Sequence, residues 1–556
     1  MVICKHEKDN LITFTLVLVS LAVIFSYGMD NVSATSYTDI YVSPTGDDIN
    51  DGGDPLHPAQ TIKHALGVTK NNGSTIHLAD GIYSGTDNTN ITISKSMTIK
   101  GQSQTSTIIN GTDTNWIFYI PSGINVTIIN LKLTNGAGNN AGGAIYNNGG
   151  TLTVTNSTFN SNKANWGGAI YSTTNLAITS STFTDNHANT DNGGAIFSEG
   201  NLTVTSSTFT GNTAYNGYGG AIDSISNLTV TCSTFTNNYA SIGGAIYSDG
   251  NTLNITSSTF TNNHASGIYS YGGAIYNSGG TQSSPSTISN STFTGNTAPY
   301  GGAISNIGTL NVYFNRIVGN TASQGSDIYN DGGIVNAPFN WWGDNNGPTG
   351  KIEGLSVSKW LILTMITSIS AQINSDSKVT ADLRYDNTGI LHTEGYIPNG
   401  IPVSFTTSLG TISSPSYISN GIAQSTLKSN LLGSAGVSAK LDNQTIQTSV
   451  KIVDTIPPKV TSTYPKKGAK GISRTSTIKI KFSEKIKKSI NWSKIYIKNK
   501  YGKVKITKKW ISGNYLYIKT KKRISKKYYT VYIPVSAIKD YTGNNLIKHY
   551  TFKFKT

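Results

Sequence analysis

The sequence predicts an all-β protein in which a parallel β-helix is followed by two β-sandwich domains. The first observation is a repeat: Gly-Gly-Ala-Ile occurs seven times between Gly142 and Ile304, at intervals of 24 to 29 residues. The second is a hydrophobic period of two within each interval, and the third is a pair of composition shifts after Gly350. Self-similarity at such a period is typical of a stacked solenoid, which presents a long surface more readily than a single catalytic pocket.

Each repeat contains a short strand-like segment, for example Leu-Thr-Val-Thr at 202–205. A period of two among β-branched residues predicts a half-buried strand, whereas a helix needs spacings of three and four. A phenylalanine recurs five residues after the second apolar position, at Phe159, Phe183, Phe209, Phe235, Phe260 and Phe293. The paired glycines suit corners between strands, because glycine reaches positive φ without steric cost.

The predicted turns must stack on one another. One turn buries too few apolar side chains to offset the conformational entropy lost when about 25 residues become ordered. Roughly eleven turns between Thr75 and Asn345, spaced about 4.8 Å apart, would form a rod on the order of 50 Å long. The ends of such a stack need caps, and Trp341-Trp342-Gly343 is predicted to close it.

Residues 1–34 are expected to be a secretory signal peptide. Lys5 and Lys8 precede a mostly apolar run at 11–25, and Val-Ser-Ala at 32–34 supplies a small-residue cleavage site. An uncleaved membrane anchor is the alternative, but about fifteen apolar residues are fewer than the roughly 20 that a spanning helix needs. The mature chain is therefore expected to be secreted or at the cell surface, with no stable membrane span.

Composition and charge divide the rest of the chain. Residues 356–453 contain new strand-like segments, such as 378–383 and 401–405, and this pattern predicts a β-sandwich. Residues 454–556 hold 27 Lys and Arg against three Asp and Glu, a net charge of +24, while the preceding residues sum to 16 minus 25, or −9. The positive charge of the chain therefore belongs to its last domain.

Several motifs in the solenoid resemble known families. The segments 41–46, 79–83 and 97–101 resemble the opening of pectin-lyase-like right-handed β-helices. The combination of Gly-Gly-Ala-Ile with Phe-x-x-Asn, as in Phe159 and Asn162, resembles the polymorphic outer membrane protein repeat. The residues after the repeats do not resemble an autotransporter barrel, which departs from the pattern of the bacterial outer-membrane relatives. The resemblance implies that residues 35–350 form a right-handed parallel β-helix.

The two following domains resemble Ig-like modules. Residues 356–453 resemble the invasin-type bacterial Ig-like module through 380–382 and 401–405, and residues 454–556 resemble Ig-like modules of surface-layer proteins through 482–484 and 540–544. The order of the parts resembles that of adhesin-like surface proteins of methanogenic archaea. This implies a right-handed parallel β-helix solenoid with two Ig-like β-sandwich domains, acting as a non-catalytic surface adhesin. No repeated Gly-Gly-x-Gly-x-Asp calcium motif is present, and neither a cofactor nor a metal is expected.

Aromatic residues stand just before four of the seven Gly-Gly pairs, at Trp166, Tyr218, Tyr271 and Tyr300. Aromatic faces can bind sugar rings, so these four residues are predicted to form a binding stripe for extracellular glycans or other cells. The alternative is that the rings only cover the glycine corners.

A carbohydrate-active enzyme, either a polysaccharide lyase or a glycoside hydrolase, is the leading alternative, because pectin-lyase-like folds often carry such activity. Asp223 interrupts the aromatic column Tyr146, Tyr171, Phe197, Tyr247 and Tyr276 and is the best single candidate for a site acid. The competing interpretation is that its side chain points outward or caps a neighbouring turn. No catalytic residue is assigned, and Arg316 has no evident acidic partner. A purely structural envelope component is the third possibility.

The lysine-rich domain alternates lysine with apolar residues, as in Ile-Lys-Ile-Lys-Phe at 478–482, which places the lysines on one face of a strand. Such a face can serve solubility alone. A charge of +24 on about a hundred residues nevertheless favours polyanions. In an extracellular setting, cell-wall polyanions are expected as partners rather than nucleic acid.

Overall fold

The computed structural model describes residues 38–69 and 72–556. The predicted signal peptide, 1–34, lies outside the described residues. Parallel strands wind into a β-helix with three long sheets, and mostly antiparallel sheets follow from Leu361 onward. The all-β fold class expected from the sequence is therefore confirmed. A single short α-helix in the described chain, Ile62–Val68, buries Ile62 and Ala65 in the first turns of the rod.

The rod is built from three long parallel sheets and one short one. Sheet 1 contains Asp39–Val42, Ser74–Leu78, Met97–Gly101, Val126–Ile129, Leu152–Thr155, Leu176–Thr179, Leu202–Thr205, Leu228–Thr231, Leu253–Thr256, Ser286–Ser289, Thr309–Tyr313 and Ile334–Asn336. Sheet 2 contains Gly81–Ser84, Thr107–Asn110, Lys132–Thr134, Thr158–Asn160, Thr182–Thr184, Thr208–Thr210, Thr234–Thr236, Thr259–Thr261, Thr292–Thr294 and Arg316–Val318.

Sheet 3 carries the Ile of each Gly-Gly-Ala-Ile motif and the residue that follows it. It contains Ile91–Thr92, Phe118–Ile120, Ile145–Asn147, Ile170–Ser172, Ile196–Ser198, Ile222–Ser224, Ile246–Ser248, Ile275–Asn277, Ile304–Asn306, Ile328–Asn330 and Ile352–Glu353. Sheet 4, which is short, contains Lys163–Ala164, His187–Ala188, Thr213–Tyr218, Tyr239–Ile242 and His264–Ala265.

Equivalent residues of successive turns pair directly, so the core consists of columns of like side chains. Leu152 lies opposite Leu176, and Val154 lies opposite Ile178, in sheet 1. The six phenylalanines of sheet 2 form a continuous stack, with ring centroids 4.7–4.8 Å apart and planes within 4° of parallel. This stack confirms the register predicted from the sequence.

Buried asparagines form a second column at the corner after each phenylalanine. The Nδ2 group of Asn212 donates to Oδ1 of Asn238 at 3.0 Å, and Asn238 repeats this bond to Asn263 at 2.9 Å. The Asn212 backbone N–H also donates to Asn238 Oδ1, at 3.0 Å. The column ends where Asn320 donates to the buried carboxylate of Asp327. In each turn, the Phe-x-x-Asn motif therefore supplies one stacked ring and one asparagine of the hydrogen-bonded column at the corner.

The two glycines of a Gly-Gly pair are required for different steric reasons. Gly219, the first of its pair, has a φ of +64°, a conformation that L side chains rarely adopt. A Cβ added to Gly220, the second, would lie 2.2 Å from the carbonyl oxygen of Gly244 in the next turn. The predicted role of the pair as a corner is confirmed, and close stacking of turns is the reason for the second glycine.

The two tryptophans predicted to close the rod, Trp341 and Trp342, pack in two different hydrophobic cores. Trp342 packs in the core of the rod, whereas Trp341 packs with Val318 in the core of the first sandwich. Sheet 3 continues past both residues to Ile352–Glu353. The expectation that both tryptophans cap the stack is therefore wrong for Trp341.

Two β-sandwiches follow the rod, and their strand pairs are antiparallel except for Ser370–Gln372 with Gln444–Val453, which is parallel. The first pairs Leu361–Thr367, Ser377–Asp386, Ile422–Lys428 and Thr411–Ile412 in one sheet, and Ser370–Gln372, Gln444–Val453, Gly433–Leu441, Pro402–Thr407 and Ser416–Tyr417 in the other. The second pairs Val460–Tyr464, Ile478–Phe482, Tyr515–Thr520 and Ile506–Ser512 in one sheet, and Gly502–Val504, Tyr496–Asn499, Tyr528–Ile533 and Tyr550–Lys555 in the other. A two-stranded ribbon, Ile486–Lys488 with Ile538–Asp540, and a 3-10 turn, Trp492–Lys494, complete it.

Candidate functional site

The outer surface of sheet 3 carries two groups of aromatic side chains. Strand residues alternate between the two faces, so Ile145 and Asn147 point into the core while Tyr146 between them points outward. The outward positions pair in register from turn to turn. We call the following residues, together with the rings that border them, the aromatic face: Tyr119, Tyr146, Tyr171, Phe197, Tyr247, Tyr276 and Tyr329.

The four aromatic residues predicted from the sequence border this face. Trp166 contacts Phe197 edge-on, with ring centroids 4.9 Å apart. Tyr218 stacks on Tyr247 at 4.7 Å, and Tyr271 stacks on Tyr300 at 5.0 Å. All four rings are partly exposed. They do not form one cluster, because Trp166 joins a different group of rings from the other three.

The outward tyrosines of the Gly-Gly-Ala-Ile repeats enlarge the predicted surface. Tyr146 and Tyr171 lie 5.2 Å apart by ring centroids, and Tyr247 and Tyr276 lie 5.0 Å apart with nearly parallel planes. Tyr300 extends the row to Tyr329 at 5.2 Å. In the sequence, the outward tyrosines of the repeats are the residues that directly follow Gly-Gly-Ala-Ile. The period of two within the strand places them on the outer face.

Asp223 separates the two groups of rings. It lies between Phe197 and Tyr247 in the column, and its side chain is fully buried. Neither carboxyl oxygen accepts a hydrogen bond of normal geometry from the described residues, although the Asn192 side chain lies close enough to lower the pKa somewhat. Burial is the dominant effect and raises the pKa of Asp223 well above its ordinary value, with a smaller contribution from Asp249.

Asp223 occupies the outward column between Phe197 and Tyr247, so one of the two expected positions holds in direction, but the side chain is buried there. The side chain does not reach solvent, and it forms no hydrogen bond that caps a neighbouring turn. It is a buried carboxyl group beneath the aromatic face, which a substrate on the surface would not touch. Two acids nearby are engaged with hydroxyl groups instead: Glu199 accepts from Tyr171, and Asp249 accepts from Ser278.

One group of three acids in the described chain has the spacing of a cation site. Ligand atoms of Asp454, Glu484 and Asp540 lie within 4.8 Å of one another. Asp540 accepts backbone hydrogen bonds from Gly543 at 2.6 Å and Asn544 at 2.8 Å. These three are the only acids of residues 454–556. Burial and the two neighbouring acids raise the pKa of Glu484.

Three protein families match parts of the chain. The right handed beta helix region matches residues 115–280, the Chlamydia polymorphic membrane protein repeat matches residues 290–307, and the bacterial Ig-like domain matches residues 454–556. None of them spans half of the chain. They confirm the expected right-handed β-helix, its repeat type and the Ig-like character of the last region. The resemblance to archaeal proteins and the invasin-type assignment of residues 356–453 stay predictions.

Solved structures resemble about a third of the chain at low identity. The adhesin InvE of Yersinia pseudotuberculosis is 14% identical, over 35% of this chain and 60% of that one, with a TM-score of 0.19. Domains 5–6 of the S-layer protein SbsC are 15% identical, over 36% of this chain and 99% of that one, with a TM-score of 0.15. Invasin, described as a bacterial integrin-binding protein, is 15% identical, over 35% of this chain and 39% of that one, with a TM-score of 0.22.

The matches span less than two thirds of the InvE and invasin chains, and TM-scores this low carry no argument about function. A comparison with curated proteins found no match. Within the described part of the chain, no helix has the length and apolar character needed to cross a membrane.

Proposed function

We propose that the protein is a cell-surface adhesin whose β-helix displays the aromatic face to extracellular glycans or other cells. The observation that carries this proposal is two groups of mostly part-exposed rings, from Tyr119 to Phe197 and from Tyr247 to Tyr329, which together cover most of the rod. Sugar rings pack their C–H faces against aromatic side chains, and tyrosine hydroxyls supply polar contacts at the ring edges. A surface of this kind suits a binding protein better than a single deep pocket does.

The spacing of the rings favours a repetitive ligand. Neighbouring rings of the column lie 5.0 to 5.3 Å apart because each turn contributes one of them. A glycan chain lying along the rod would therefore meet equivalent rings in several registers. Binding in many registers raises avidity without a unique high-affinity site.

The two sandwiches are proposed to hold the rod at the envelope. The first packs against the end of the rod, where the Phe339 ring lies 4.2 Å from the His392 ring and Trp341 enters the sandwich core. The second carries the net charge of +24, which attracts cell-wall polyanions by long-range electrostatics. Added salt is expected to weaken retention that depends on this charge.

A carbohydrate-active enzyme remains the second candidate, and Asp223 is the observation that favours it. A general acid needs a raised pKa, and burial raises the pKa of this carboxyl group. Its complete burial argues in the opposite direction. Any enzymatic role would require Asp223 to become accessible to a substrate.

The test compares cell binding of the full chain with that of a variant in which Trp166, Tyr218, Tyr271 and Tyr300 are changed to alanine. The matched control changes Tyr215 and Tyr239, a ring pair 4.8 Å apart that lies on sheet 4. We expect the four-ring variant to lose at least tenfold in affinity while the control stays within twofold. Equal binding by all three proteins would overturn the proposal. Sugar release measured in the same wells, and lost in Asp223→Leu, would favour the enzyme.

A further inference from the structure

The outer face of one sheet in the last sandwich combines lysines with aromatic rings. In Ile478–Phe482 the residues Ile478, Ile480 and Phe482 are buried, so Lys479 and Lys481 project outward. Across the adjacent strands, Tyr517 lies opposite Lys479 on one side and Trp510 on the other. We define the lysine–aromatic face by seven residues: Lys479, Lys481, Lys508, Trp510, Tyr515, Tyr517 and Lys519.

The charge on this domain has no internal compensation. None of the 27 Lys and Arg residues of 454–556 forms an ion pair, and the whole of that segment is described. The three acids of the segment gather together where it meets the first sandwich, with Asp454 bonded to Gln372 at 3.0 Å. Both outer faces of the sandwich are left without an acid.

Lysines even lie directly opposite one another across strands. Lys508 pairs with Lys519 in the face defined above. The same arrangement occurs twice elsewhere in the domain, between Lys487 and Lys539 and between Lys498 and Lys503. Like charges in directly opposite positions destabilise a sheet, whereas an anion bound between them removes the repulsion. Three such pairs, one in each sheet of the domain, indicate a domain suited to a polyanion.

The aromatic rings favour one class of polyanion. Trp510 and Tyr517 stack at 5.0 Å with an interplanar angle of 7°, and the Lys508 ammonium group lies 5.3 Å from the Trp510 ring centroid on the same face. The rings are thus occupied by each other and by a lysine, which leaves little free ring face for a nucleic-acid base to stack on. The hydroxyls of Tyr515 and Tyr517 form no hydrogen bond within the described chain, so they can bond to ligand hydroxyls and carboxylates.

We propose that the lysine–aromatic face binds an acidic polysaccharide. The lysines pair with its carboxylate groups, and the tyrosine hydroxyls bond to its sugar hydroxyls. The strand-by-strand repetition of lysines suits an extended chain lying across the sheet. This inference rests on the proposed retention at the envelope and deepens it, because it names the surface and the ligand class.

The experiment measures binding of the full chain to polygalacturonate, to its neutral methyl ester and to single-stranded DNA. The test variant is Lys508→Gln with Lys519→Gln. The control, Lys466→Gln with Lys467→Gln, removes the same charge from an exposed loop of the same domain. We expect the test variant to lose at least tenfold in affinity for polygalacturonate and the control to lose less than twofold. The neutral ester should bind at least tenfold more weakly than the acid.

Two further readouts keep the result decisive. Because the test variant removes a like-charge pair, its melting temperature without polymer should equal or exceed that of the wild type, so lost binding is not lost folding. Equal losses in both variants, or tighter binding of DNA than of polygalacturonate, would overturn the inference. Retention on isolated envelopes is measured in parallel. Retention without polygalacturonate binding would reject this inference alone, whereas failure of both would also reject the proposed retention.

Discussion

Arg316 of the rod forms a two-point ion pair with Asp442 of the first sandwich. Its Nε donates to Oδ2 at 3.0 Å and its Nη2 donates to Oδ1 of the same carboxylate. Trp341 Nε1 donates to the same Oδ2 at 2.7 Å. The side chains of Arg316 and Asp442 are 15% and 10% exposed, so solvent screens the pair weakly. The expectation that Arg316 lacks an acidic partner was wrong, and the pair fixes the rod against the sandwich.

Removing one partner of this pair should be strongly destabilising. Arg316→Ala leaves the Asp442 carboxylate mostly buried and opposed only by the Trp341 N–H, and a cost of about 3 kcal/mol is expected. The measurement is chemical unfolding of the first sandwich. The double variant Arg316→Ala with Asp442→Ala should cost less than the sum of the single changes. Lys63→Ala, which breaks the exposed pair with Asp87, is the control and should cost under about 1 kcal/mol.

Asp327 is expected to make the stability of the rod depend on pH. Burial raises its pKa from 3.8 to about 7, while the Asn320 amide and Lys351 oppose the rise. The native state therefore binds the proton more tightly than the unfolded state does. This contribution to stability is full below about pH 4 and is lost as pH rises through 7, up to an amount on the order of 4 kcal/mol.

The change Asp327→Asn keeps an acceptor for Asn320 but removes the ionisation. The free energy of unfolding of this variant, relative to wild type, should increase between pH 4 and pH 8. Urea unfolding at several pH values measures the difference. A constant difference over that range would show that the Asp327 pKa is not raised in the folded protein.

Asp223 is a second buried acid, and it has no satisfactory hydrogen-bond partner. Replacing it with leucine removes an unsatisfied polar group, so Asp223→Leu should stabilise the rod by about 1–3 kcal/mol at neutral pH. The gain should increase as pH rises, because the raised pKa means that stability is lost when the carboxyl group ionises. Thermal unfolding at pH 6 and pH 8 checks both statements. A destabilised variant would indicate that Asp223 has a partner in solution.

The asparagine column should be a major source of rod stability. Asn238→Ala leaves the Asn212 amide and the carbonyl oxygen of Phe209 without their partner inside the core, and a loss of about 3 kcal/mol is expected. Asn254→Ala, at an exposed strand position, is the matched control and should stay within about 0.5 kcal/mol. Similar losses in the two variants would contradict the proposed importance of the column.

Local periodicity made most of the rod predictable. The interval between Phe209 and Phe235 gives the number of residues in a turn, and the alternation within 202–205 shows which side chains face the core. The register between turns was therefore predictable from the sequence alone. Strands of two residues, such as Lys163–Ala164 in sheet 4, are too short to show a period. Their pairing depends on the neighbouring turns.

Relationships between distant parts of the chain were not predictable. Arg316 and Asp442 are 126 residues apart, and no repeat relates a rod corner to a sandwich loop. The burial of Asp223 depends on its neighbours in adjacent turns, because it lies between Phe197 and Tyr247 in the stacked column. The aromatic face was predicted in part, because the sequence identified its bordering rings and its column without showing that they touch.

The adhesive role of the aromatic face is tested most directly by equilibrium binding of the full chain to a glycan array, compared with the variant that changes Trp166, Tyr218, Tyr271 and Tyr300 to alanine. The wild type is expected to bind a defined group of glycans, and the variant, with an unchanged unfolding transition, is expected to bind them at least tenfold more weakly. Equal binding by the two folded proteins would contradict the claim that the aromatic face is the adhesive surface.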